Sequence, residues 1–67
     1  MPRFFIAGTN ILGGMAYMRG RDAEHVHVLR MRPGEDMIIC DGQGTDYKCR
    51  LVKADKEQVE AEVIEVV

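Results

Sequence analysis

AEHVHVLRMRPGEDMIICDGQGTDY, residues 23–47, decides how this chain folds. Ala23, Val26 and Leu29 or Arg30 recur at helical spacing, with Val28 and Met31 widening the apolar stripe. Asp22 stands where an N-cap is wanted. Pro33 biases Arg32 away from helix and Gly34 completes the exit. Met37-Ile38-Ile39-Cys40 is then a continuous apolar run of strand length. Asp41-Gly42 opens a tight turn that Gly44 helps close, so the next strand returns antiparallel.

Outward from that core the chain reads as short strands. Tyr47, Cys49 and Leu51 face one way while Asp46, Lys48 and Arg50 face the other. Ala54-Asp55-Lys56-Glu57 is a polar turn, after which Val59, Ala61 and Val63 alternate with Glu60 and Glu62. Ile64 and Val66 then carry the apolar character on in the wrong phase, the signature of a bulge. Upstream, Arg3-Phe4-Phe5-Ile6 is β-prone and Gly8-Thr9-Asn10 breaks it. Gly13-Gly14 punctuates before a strand at Met15-Ala16-Tyr17-Met18, and Gly20 stops that strand. Four or five short strands sharing one small core with a single helix predict a mostly β, small α+β fold curled into a barrel-like sheet.

With 67 residues the chain makes one domain, 1–67, that buries only about 60% of its unfolded surface. A core, a cofactor pocket and a catalytic constellation do not fit together in that length. No apolar stretch approaches the roughly 20 residues of a membrane span, and the opening MPRFFIAG lacks a signal segment, so a cytoplasmic protein is expected. Cys40 and Cys49 read as free thiols packed as small hydrophobes. The apolar ending Val66-Val67 is expected to lead toward another domain.

The net charge of −2 hides an asymmetry. Residues 1–34 carry Arg3, Arg19, Arg21, Arg30 and Arg32 against two carboxylates; residues 35–67 carry four basic side chains against nine. Arginine suits forked contacts to phosphate. A net-acidic domain binds nucleic acid only through a local patch, and the expected one gathers Arg3, His27, Arg30 and Arg32, with Arg19 and Arg21 nearby.

Other chemistries lack residues. His25 and His27, two apart on a helix, point about 200° apart and do not chelate one ion; one is expected at a helix–sheet contact and the other in solvent. Gly42-Gln43-Gly44 lacks the third glycine and following helix of a phosphate loop. The chain has no serine, and its carboxylates read as solvated strand faces and turns. No catalytic, cofactor-binding or metal-binding residue is assigned.

The opening Met1-Pro2-Arg3-Phe4-Phe5, the stretch from Ala23 to Glu35, and Asp41-Gly42-Gln43-Gly44 with Tyr47 together resemble the N-terminal domain of the RsmE-type ribosomal RNA methyltransferases, over essentially all 67 residues. The resemblance implies a PUA-like β-barrel that helps bind RNA. It implies a C-terminal knotted SPOUT domain, absent from this chain, that binds S-adenosylmethionine, methylates N3 of a uridine in 16S rRNA and dimerises. No cofactor is then expected on this chain. Ribosomal RNA would be its partner, with Arg3, His25, His27, Arg30 and Arg32 as the RNA-binding residues. Glu24 stands where the family often has a histidine, and His27 where it often has a basic residue. The competing reading is a barrel module that buttresses a partner domain without touching RNA.

Overall fold

In the computed structural model, which describes residues 1–7 and 10–67, the apolar run at Met37 is strand β4 (Asp36–Cys40) and returns as β5 (Asp46–Ala54). The turn between them is held by Asp41, whose Oδ1 accepts the N–H groups of Gln43 (2.8 Å) and Thr45 (3.2 Å). Met37 pairs with Cys49 and Ile39 with Tyr47, the antiparallel return that the turn chemistry predicts. Of the expected Gly8-Thr9-Asn10 break, Gly8 and Thr9 lie outside the described residues.

β5 continues into β6 (Gln58–Val66), and this pair carries two bulges. Cys49 opposes Val63 while Lys48 opposes Glu65, so Ile64 is the extra residue on β6, where the apolar phase slips in the sequence. Leu51 opposes Ala61 while Lys53 opposes Glu60, which leaves Val52 as a second extra residue on β5. Bulges increase local twist, and two in one ribbon curl it around the core.

On the far side of β6 lies β3 (Met15–Arg19), and beyond it the two-residue β2 (Ile11–Leu12). Gly13 and Gly14, with φ of 57° and 77°, supply the two positive values that a two-residue type I′ hairpin demands. Strand β1 (Arg3–Phe5) lies at the other edge, parallel to β4. The sheet order is β1-β4-β5-β6-β3-β2, a curled mixed sheet forming a half barrel. Six strands replace the four or five expected. The two-residue β2 is too short to show a period, and β5 and β6 run nine residues each.

The helix α1 (Arg21–Val28) covers the concave side, packing on β3, β5 and β6. Its cap is Gly20 rather than Asp22: the Gly20 carbonyl accepts the Glu24 N–H at 2.9 Å, and no side chain caps the end. Asp22 falls inside the first turn, where it and Glu24 complement the helix dipole. Ala23 and Val26 are buried, but Val28 is 70% exposed, so the apolar stripe is narrower than its periodicity predicts. The larger side chains of the core are Phe4, Ile6, Met18, Met37, Ile39, Leu51 and Val59, with Ala16, Cys49 and Ala61 between them. No helix among the described residues is long and apolar enough to cross a membrane.

Candidate nucleic-acid interface

Helix α1 ends earlier, and differently, than its Pro-Gly sequence implies. The Arg30 N–H donates to the His27 carbonyl (3.0 Å) and the Met31 N–H to the Val26 carbonyl (3.3 Å). Arg30 itself has φ 54°. This is a Schellman closure, completed by Met31 folding onto the core that contains Val26. Glycine usually takes the left-handed position; a side chain there costs roughly 1–2 kcal/mol. The true stop therefore lies three residues before Pro33. Arg30 and Arg32 are both exposed just past it, and neither side chain has a carboxylate within ion-pair distance among the described residues. The Arg32 backbone N–H donates to Glu35 Oε1 at 2.6 Å, which puts one acidic group beside the pair. The helix C-terminus is the negative end of the dipole, so attraction for an anion here comes from the guanidinium groups alone.

The two histidines leave the helix in different directions, as their spacing requires. His25 meets the ring of Phe4 edge-on, with centroids 5.0 Å apart. The His27 Nε2–H donates to the Asp55 carbonyl at 2.7 Å, which ties the helix to the β5–β6 turn. Both rings remain exposed. No cluster of three or more metal-ligating side chains occurs among the described residues.

Arg3 is separated from this group by the sheet. It alternates with Phe4, which points into the core, so Arg3 lies on the outer face, away from α1. There its Nη1 donates to Asp46 Oδ2 and to Cys40 Sγ, each at 3.0 Å. The hydrogen bond to Asp46, then that to Cys40, raises the Arg3 guanidinium above its ordinary value. Hydrogen bonding with Cys40, then with Arg3, holds the Asp46 carboxyl below its ordinary value. Burial pushes the Cys40 thiol up in spite of the nearby cation, and burial alone pushes Cys49 up to about 11. Both thiols are therefore protonated and inert at neutral pH.

The fold thus gathers Arg30 and Arg32 at the helix exit, with His25 one turn upstream. It draws His27 toward the β5–β6 turn and places Arg3 behind the sheet, so the patch of Arg3, His27, Arg30 and Arg32 expected from sequence divides. A second feature lies on the outer face of β3, where Tyr17 and Arg19 alternate with the buried Ala16 and Met18. Tyr17 stands outside the core. The period-2 pattern of β3 is the signal that shows this. Arg19 Nε donates to Gln58 Oε1 at 2.9 Å across the β3–β6 pair.

The family model of the RNA methyltransferase PUA domain matches residues 19–64, which hold the helix, its exit and the Asp-Gly-x-Gly turn. The chain belongs to this family. Over its whole length this PUA domain superposes on a ribosomal RNA small subunit methyltransferase E from Neisseria gonorrhoeae bound to S-adenosyl methionine (TM-score 0.88, 31% identity), of which it covers 28%. It likewise superposes in full on a predicted RNA methyltransferase from Thermotoga maritima (TM-score 0.86, 25% identity), covering 30% of that chain. A putative methyltransferase from Legionella pneumophila, in complex with S-adenosyl methionine, shares the fold at TM-score 0.85 and 24% identity, over 97% of this chain and 27% of its own. No curated protein matches the sequence significantly. The PUA domain spans less than a third of the length of these solved methyltransferases.

Proposed function

We propose that this PUA domain docks ribosomal RNA for a covalently linked C-terminal SPOUT methyltransferase domain that uses S-adenosylmethionine to methylate N3 of a uridine in 16S rRNA. In this reading the full-length enzyme is a cytoplasmic homodimer. The cofactor belongs to the linked domain. The observation that carries the proposal is the Arg30–Arg32 exit, without a carboxylate partner among the described residues, in a domain that superposes over its whole length on 28% of an rRNA methyltransferase. Those guanidinium groups contact phosphates and position the RNA; they carry little sequence information. His25 flanks them, while Arg3 and His27 touch the RNA only where it wraps past the helix.

Replacing Arg30 and Arg32 together by alanine weakens RNA binding and flattens its salt dependence, lowering the log–log slope by about 1–2. Gel-shift titrations of an rRNA fragment at two salt concentrations measure it. Unchanged slopes in a folded variant remove the helix exit from RNA contact. The buttress reading draws on a different observation: Ile64 and Val66 stay 42% and 61% exposed at the end of β6, an apolar strip that a partner domain would cover. Full RNA affinity in the double variant favours that reading.

A further inference from the structure

Beside the helix start, on the outer face of the sheet, lies a concavity of about 400 Å³ lined by Asn10, Leu12, Tyr17, Arg19, Asp22 and Gln58. We propose that it takes one unpaired nucleobase of the bound RNA, stacked against Tyr17. The proposal rests on the RNA-docking reading and adds to it a place where a base, rather than the phosphate chain, is held.

Four observations carry it. The volume lies within the range of small-ligand sites and exceeds what a single base needs. Tyr17 and Leu12 give an aromatic and an aliphatic wall, and every base presents a π-face to such a wall. Arg19, Asn10 and Gln58 offer donors, while Asp22 offers only acceptors. A carboxylate there repels a phosphate but accepts from the N–H groups along a base edge, which makes this a base site and not a second phosphate site. Finally, the polar floor is preorganised. Arg19 Nε is fixed to Gln58 Oε1 at 2.9 Å, and Gln58 Nε2 donates to Glu60 Oε2 at 3.2 Å. The guanidinium plane is thereby pinned across β3 and β6 with its Nη groups left for a ligand. Specific RNA recognition targets splayed single-stranded bases stacked on aromatic side chains, and here a ring and polar groups converge.

The test compares two fluorescein-labelled decamers, oligocytidylate and an oligoribonucleotide of equal length whose riboses are abasic, binding to the purified protein at low salt by anisotropy. Their phosphates match, so the difference between them reads the base alone. The wild type is expected to bind the base-bearing decamer about tenfold more tightly. Tyr17→Leu, which keeps apolar volume but removes the ring, brings the two to parity; Tyr17→Phe preserves the gap. Asp22→Asn, which leaves the sheet untouched, narrows the gap and serves if Tyr17→Leu does not fold. Equal affinity of the wild type for both decamers overturns the base site, as does a folded Tyr17→Leu protein that keeps the full gap. Either result leaves the Arg30–Arg32 salt dependence, and hence RNA docking, standing. Failure of the wild type to bind either decamer or the rRNA fragment overturns the docking reading and the base site together.

Discussion

The turn at 41–45 and the helix exit at 29–31 both reverse the chain, and they do it by opposite means. In the turn every contact is local: Asp41 accepts two backbone N–H groups from residues 43 and 45, and Gly42 and Gly44 take positive φ without strain. At the helix exit the left-handed residue is an arginine, and a tertiary contact, Met31 against the Val26 core, holds it there. The turn is thus relaxed, and the exit is strained and clamped. Strain that surrounding packing must enforce is a mark of functional positions, and here it falls on a residue of the proposed RNA-docking exit.

Removing the clamp is the most damaging way to test this contrast. Val26 is wholly buried, so Val26→Ala is expected to destabilise the protein by about 2–3 kcal/mol, a large share of the stability of so small a domain. Urea denaturation reads it; a loss under about 1 kcal/mol shows that Met31 does not depend on Val26. Swapping residue types at the two left-handed positions comes next and reverses sign. Gly44→Ala meets no atom within 4 Å, so its cost is backbone strain alone, about 1–2 kcal/mol. Arg30→Gly relieves strain and raises stability by about 1 kcal/mol, or roughly 4–8 °C in Tm, while weakening RNA binding. Equal signs for the two substitutions break the comparison. The smallest effect concerns the arginine at the hairpin end. Asp46 is held low in the fold, so its contact with Arg3 contributes stability above the ordinary aspartate range and loses it as pH falls through the lowered value. Arg3→Met is expected to move the Asp46 titration upward, as followed by carboxyl-carbon NMR. An unmoved midpoint leaves Cys40 as the sole cause.

The contrast also explains what could be read from sequence. The β4–β5 hairpin, the alternation of Cys49 and Leu51 with Lys48 and Arg50, and the slip at Ile64 were legible because each is fixed by neighbours in the chain. Gly20 replaced Asp22 as the cap because β3 runs almost directly into the helix, leaving Gly20 alone between the strand and the first turn. Pro33-Gly34 looked like the helix stop, but the stop is set by Met31 reaching the core, which no local pattern reports. Arg3 was expected beside Arg30; its place behind the sheet depends on an Asp46 partner 43 residues away. Tyr17 was legible only as part of a short strand; the alternation of β3 with the buried Ala16 and Met18 is what turns it outward.

The parallel pairing of β1 with β4 has a consequence for synthesis. Phe4 aligns with Ile39, 35 residues later, and no nearer segment of the described residues pairs with that strand. At about 5–20 residues per second, translation leaves the two phenylalanines without their neighbour for roughly 2–7 s after they are made. Residues 3–5 thus spend that interval as an unpaired peptide, rich in aromatic rings, that chaperones can grip.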